Sequence, residues 1–173
     1  MSLLPDQLAN DLRVVFVGTA ASRRSATVGA YYAHPGNRFW GALHEAGITS
    51  RRYNPEEFPK LLELGIGFTD ICKNAAGMDH QIAKERFDVS SFRAKIEKYQ
   101  PKTIAFTSKR AASLFFEQPT KNIPLGRQSP SVNDPDIFVL SSTSGLASSH
   151  WNLQPWQELA VWIEGVPGAR NTA

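Results

Sequence analysis

Leu12-Arg13-Val14-Val15-Phe16-Val17-Gly18-Thr19-Ala20-Ala21-Ser22 is the stretch that decides the fold. Val14 to Val17 are bulky and mostly β-branched, a composition that favours an extended strand. The run does not alternate apolar with polar residues, so the strand it predicts is covered on both faces, as in the interior of a parallel sheet. A small loop, Gly18 to Ser22, then leaves the strand's carboxyl end.

Three further stretches read as strands: Ile66-Gly67-Phe68-Thr69-Asp70, Thr103-Ile104-Ala105-Phe106-Thr107 and Ile137-Phe138-Val139-Leu140. Helical spacing falls between them, at Asn37 to Ala46, Pro55 to Leu64, Val89 to Tyr99, Lys109 to Phe116 and Trp151 to Glu164. Strands alternating with helices predict an α/β protein, a three-layer α/β/α sandwich around a central, mostly parallel four-stranded sheet. Gln118 to Pro135 holds four prolines and reads as an irregular surface excursion. With no repeat or second core, residues 1–173 are expected to form one domain with its core at about 12–164, and the tail from Gly165 is expected to fray.

At 173 residues, 42% apolar and 20% charged, the composition is that of a soluble globular domain. No apolar run approaches a membrane span, and Met1-Ser2-Leu3-Leu4-Pro5-Asp6 lacks a basic region followed by an apolar one, so a cytoplasmic protein with no membrane partner is expected. The single cysteine, Cys72, excludes an internal disulfide and a four-thiolate cluster, and reads as a small buried hydrophobe. A net charge of +3, from 19 basic and 16 acidic residues, permits a polyanionic partner without demanding one.

Ligands of open parallel sheets sit beyond the carboxyl ends of the strands. Those ends deliver Gly18-Thr19-Ala20-Ala21-Ser22, Thr69-Asp70, Thr107-Ser108-Lys109-Arg110 and Ser141-Ser142-Thr143-Ser144-Gly145-Leu146. Small, hydroxyl-bearing loops let a backbone come close to a ligand and offer donors to phosphate or carbonyl oxygens. Each taken singly is equally a turn or a helix cap; their coincidence at one end of the sheet is the signal. A second cluster, Tyr31-Tyr32-Ala33-His34-Pro35-Gly36-Asn37-Arg38-Phe39-Trp40, places two tyrosines before a helix. Phe39 and Trp40 fit the helix's core face. A loop aromatic can stack on a flat base, and His34, Asn37 and Arg38 can contact base or phosphate, although structural tyrosines are the alternative.

From Leu12 through Ala33-His34-Pro35-Gly36-Asn37-Arg38-Phe39-Trp40 the chain resembles the first motif region of mismatch-specific uracil-DNA glycosylases. Gly65-Ile66-Gly67-Phe68-Thr69-Asp70-Ile71 is similar to that family's second strand, and Ser144-Gly145-Leu146 to its Ser-Gly-Leu wedge loop, so the resemblance covers residue 12 to about 163. Where the family has Gly-Ile-Asn-Pro-Gly, with an Asn that positions water, this chain has Gly18-Thr19-Ala20-Ala21-Ser22. Ser141 to Ser144 also departs from the family's Pro-Asn-Pro-Ser. Together with Tyr31-Tyr32-Ala33-His34-Pro35 that stretch looks more like the hypoxanthine-DNA glycosylase branch, which also lacks the Asn.

The resemblance implies a monomeric, monofunctional glycosylase that flips a deaminated base, uracil foremost, out of DNA and hydrolyses its N-glycosidic bond. That chemistry needs donors to the base carbonyl, an anion near the sugar cation and a positioned water, and it requires no metal or cofactor. Asp70, as the strand-end carboxylate, and Asn37, which matches the branch's position, are the candidate catalytic residues; a loop cap and a helix cap are their structural alternatives. The resemblance further implies that Tyr32 stacks on the base, that Ser25 lines the pocket, and that backbone N–H groups near Thr19, Ala20 and Ala21 bind the base carbonyl. Gly18, Ser22, His34 and Ser142 complete the expected substrate contacts. Leu146 is the candidate wedge, a core leucine being its structural alternative, with Ser144, Gly145, Ser108, Lys109 and Arg110 on DNA. A lesion-binding protein with little turnover is a second class of function. A dinucleotide site is disfavoured because Gly18 is not followed by the remaining glycines of that fingerprint.

Overall fold

Alternation along β1 (Val14–Ala21) sorts the core into two layers. Val14 and Phe16 pack with Phe39, Trp40, Leu43, Trp156, Leu159 and Ile163 on one face of the sheet. Val15 and Val17 pack with Phe92, Ile104, Phe106, Ala111 and Ala112 on the other. Both faces are buried, which is why the run carries no polar residue. The structure, a computed structural model, describes residues 3–128 and 135–166.

Together with β2 (Ile66–Ala76), β3 (Thr103–Phe106), β4 (Gly126–Arg127) and β5 (Asp136–Val139), β1 forms one sheet in the order β2-β1-β3-β5-β4. All pairings are parallel except that of β4 with β5. Of the helices α1 (Arg23–Val28), α2 (Phe39–Glu45), α3 (Val89–Tyr99), α4 (Lys109–Phe116) and α5 (Gln154–Glu164), α2 and α5 supply one core layer and α3 and α4 the other. The three-layer α/β/α architecture therefore agrees with the sequence. Arg13, the one charge inside the first apolar stretch, is buried because its guanidinium donates to Leu64 O at 2.8 and 3.0 Å and to Ile163 O at 3.1 Å. It ties down the last carbonyls of two helical segments at the foot of the sheet.

Several boundaries differ from expectation. Among the described residues the sheet has five strands rather than four, because β4 pairs two residues of the proline-rich excursion, one of them Gly126 at φ 93°, and so short a strand has no periodicity to read. Thr19 to Ala21 are not a loop: they extend β1, with Ala20 opposite Cys72 and Ala21 opposite Ala76 across a register shift. β2 runs on to Ala76, past the expected end at Asp70. Pro55–Leu64 is 3-10 helix, in keeping with Pro59, which lacks the N–H an α-helix would use there. α2 starts at Phe39 and α5 at Gln154, and α1, only six residues long, is too short to announce itself. Cys72 is buried and free, as expected. The expected fraying beyond Val166 lies outside the described residues, and no helix among those described is long and apolar enough to cross a membrane.

Candidate active site

Strand order reverses at β1, whose neighbours β2 and β3 lead away in opposite directions, and such a switch point opens a crevice at the carboxyl ends. A cavity of about 660 Å³ lies there. The β1–β3 ladder stops at Val17 and Phe106, so on that side the β1 backbone beyond Gly18 has no strand partner and lines the cavity.

Gly18 and Asp70 are cross-strand neighbours, and a Cβ on Gly18 would lie 2.5 Å from Asp70 Oδ1 and 3.3 Å from the Tyr32 hydroxyl. Glycine is what lets both groups close over β1. The Asp70 carboxyl is buried, and burial pushes its pKa up to about 6; the Lys73 ammonium opposes that shift and the Asp6 carboxylate adds to it. Lys73 Nζ stands 4.0 Å from Asp70 Oδ2.

Tyr32 has φ 52°, a left-handed backbone that an aromatic residue adopts only where its surroundings enforce it. Three contacts do so. Its ring stacks on Phe39 at 4.0 Å and 14°, its hydroxyl shares a hydrogen bond with Thr107 Oγ1 at 3.1 Å, and the next N–H, of Ala33, donates to Ser25 Oγ at 3.0 Å. Phe39 takes one face of the ring, so only the other face can meet a base. Burial, with Asp70 nearby, holds the Tyr32 phenol protonated far above its ordinary range. Ser25 is buried; besides Ala33 it accepts from Ser22 Oγ at 3.1 Å, so its hydroxyl fixes the tyrosine turn.

Asn37 Oδ1 accepts the Phe39 N–H at 2.9 Å, an Asx-type turn that leads into α2 one residue before its N-cap, Arg38, while its side-chain NH₂ has no hydrogen-bond partner among the described residues. His34 Nδ1 accepts from Gly36 N–H at 3.0 Å, which in the neutral ring leaves Nε2 as the donor. Arg38 N–H donates to Thr143 O at 2.9 Å, and a Cβ on Gly145 would meet Gly36 O at 3.2 Å, so the 143–145 loop docks on the loop before α2. Ser142 Oγ accepts from Ser144 N–H and Ser144 Oγ from Leu146 N–H, each at 3.3 Å. This serine ladder holds out Leu146, which is 80% exposed.

Fourteen of the expected residues meet at this cavity: Gly18, Thr19, Ala20, Ala21, Ser22, Ser25, Tyr32, His34, Asn37, Asp70, Ser108, Ser142, Ser144 and Leu146. Gly145, Lys109 and Arg110 do not line it; Gly145 is spent on loop packing, and the two cations sit exposed on the first turn of α4, just past Ser108. Sequence reading missed Arg23 and Arg24 at the cavity, because α1 went unseen. It also missed Met78, Asp79, His80 and Gln81, which β2 delivers only by running past Asp70. Asp70 is therefore not the sole carboxylate: Asp79 lines the same wall, accepting from Thr19 Oγ1 at 2.6 Å. Among the described residues no group of three or more His, Cys, Asp or Glu is arranged to hold a metal ion.

The family profile of the uracil DNA glycosylase superfamily matches residues 5–164. Among solved structures, the chain is similar to the solution NMR structure of a Methanosarcina acetivorans protein provisionally named as a uracil DNA glycosylase. The TM-score is 0.65 at 21% sequence identity, covering 93% of this chain and 96% of that one.

Proposed function

The chain belongs to the uracil DNA glycosylase superfamily, and from that premise we propose that it flips a deaminated base, uracil foremost, into the cavity and hydrolyses its N-glycosidic bond. The observation that carries this reading is the buried Asp70 carboxylate at the switch point, beside a glycine that admits it and a tyrosine strained into the same cavity. In the reaction a water oxygen bonds to the sugar C1′ while the C1′–N bond breaks with its electron pair going to the base. Asp70 takes the water's proton, and as an anion it also stabilises the positive charge that develops on the sugar. The departing base needs donors at its carbonyl. The open backbone edge of β1 from Thr19 to Ala21, the His34 Nε2–H and the unpartnered NH₂ of Asn37 are suited to supply them. Tyr32 stacks on the base, and Leu146 fills the gap it leaves in the duplex.

A hypoxanthine preference is the second reading. Ala20 is built into the β1–β2 ladder with no polar side chain, whereas Asn37 lies in the cavity, and about 660 Å³ accommodates a purine as readily as a pyrimidine. Single-turnover assays on duplexes carrying uracil or hypoxanthine, without added metal, test both. The expected product is an abasic site whose strand breaks only after alkali. A borohydride-stable protein–DNA adduct would overturn the monofunctional mechanism, and abasic-site binding without release of either base would overturn the enzymatic one.

A further inference from the structure

Lys73 is a buried-edge ammonium that the mechanism above does not use. Its Nζ pairs with Asp6 Oδ1 at 2.9 Å and donates to the Tyr31 hydroxyl at 3.2 Å, yet stops 4.0 Å from Asp70 Oδ2, beyond hydrogen-bond reach. Asp6 is the junction. Its Oδ1 also accepts from Thr69 Oγ1 at 2.6 Å, and its Oδ2 pairs with Lys95 of α3 at 2.6 Å. The segment that carries Asp6 is itself anchored: Leu3 N–H donates to Lys73 O at 2.9 Å, and Gln7 and Phe68 exchange both backbone hydrogen bonds at 2.9 Å.

We propose that Asp6 is a positioning residue which, by holding Lys73 short of a direct hydrogen bond to Asp70, leaves the Asp70 carboxylate able to accept a proton from water. An ammonium bonded directly to Asp70 would stabilise the anion and make it a poorer base; an ammonium absent altogether would leave the buried group protonated at neutral pH. Lys73 at the observed distance lies between those limits. The charged and titratable groups facing Asp70 are Lys73 from its own strand, Asp6 from the N-terminal segment, Lys95 from α3, and the phenols of Tyr31 and Tyr32. Both phenols stay neutral, so the balance rests on the two lysines and Asp6. Burial would raise the Asp6 carboxyl, but Lys73, Lys95 and Thr69 outweigh it and hold the group below its ordinary range, which keeps Asp6 anionic.

This inference rests on Asp70 being the proton acceptor, so the test follows two quantities in the full chain: the ionisation of the Asp70 carboxyl by ¹³C NMR, and the pH profile of single-turnover excision. Asp6→Asn removes a negative charge and frees Lys73 to close on Asp70, so the Asp70 midpoint should fall by about half a pH unit or more, with a lower plateau rate. Lys73→Met should move the midpoint up by a similar amount. Opposite shifts are not what two merely structural losses would give. Midpoints that stay put, or move together, in folded variants overturn the role of Asp6. If Asp6→Asn does not fold, Lys73→Met decides alone: an unmoved Asp70 midpoint overturns the proposal. Should the carboxyl respond as expected while the excision profile does not follow it, the positioning of Lys73 stands and the catalytic assignment of Asp70 falls.

Discussion

Asp70 carries opposite consequences for stability and for catalysis. With its pKa raised to about 6 in the fold from an ordinary 3.8, the stability it contributes is fully present below about pH 4 and is lost as the pH rises through 6. Asp70→Asn removes that loss. The variant should match the parent in urea denaturation near pH 4 and exceed it above pH 6, by on the order of 1–3 kcal/mol. Its single-turnover excision rate should nonetheless fall more than tenfold, about 1.4 kcal/mol of transition-state stabilisation. The parent's rate should rise between pH 5 and 7 with a midpoint near 6. A variant no more stable than the parent at pH 7, or one as active, would remove the assignment. Asn37 separates along its two ends: Oδ1 holds the Phe39 N–H in the turn before α2, and the NH₂ is unpartnered among the described residues. Asn37→Asp keeps the acceptor and loses the donor, so melting should hold while excision drops more than tenfold; Asn37→Ala should in addition lose the turn hydrogen bond to Phe39, about 1 kcal/mol of stability. Equal activity in Asn37→Asp and the parent would reduce Asn37 to a structural turn residue.

Among the elements, the strands that bury both faces were legible because their composition leaves no other reading, and the site followed from them through the strand-end rule. What remained hidden was set by pairing rather than by local sequence. Thr19 to Ala21 read as a loop until β2 supplies a partner, and β2 goes past Asp70 only because β1 and the Leu3 N–H meet it there. The turn with Asp79 depends on that extension. The Gly145–His150 turn is a case where sequence left two readings, wedge or core, and exposure excludes the core. A side chain 80% exposed holds no core together, so Leu146→Ala should leave the melting temperature within about a degree of the parent, far from the loss of 2–5 kcal/mol typical of a core leucine. Excision from duplexes and binding to abasic duplexes should weaken, with a smaller effect on single strands, which have no stack to refill. A low-melting variant whose duplex-to-single-strand ratio is unchanged would exclude the wedge.

On the scale of the molecule, a net charge of +3 is too small to explain binding to a polyanion, so the distribution of charge has to do it. Exposed cations gather at the carboxyl end of the sheet: Arg23 and Arg24 at the cavity, and Lys109 and Arg110 on the first turn of α4, beside Ser108 in the cavity wall. Lys102, at the amino end of β3, marks the opposite edge, where it lies 3.7 Å from Asp11. A cation that neutralises a phosphate displaces condensed counterions, and removing one such cation lowers the slope of log affinity against log salt by about 0.9 on duplex DNA. If the carboxyl end is the DNA face, Arg23→Ala with Arg24→Ala should flatten the salt dependence by up to about 1.8, and Lys109→Ala with Arg110→Ala by a comparable amount. Lys102→Ala should leave the slope as it is. All three are surface changes and should scarcely alter melting. Titrating an abasic duplex at several salt concentrations reads the slopes directly. A slope that falls for Lys102→Ala, or stands unchanged in both paired variants, would mean that DNA approaches another face, and the wedge and base contacts assigned to this end would fall with it.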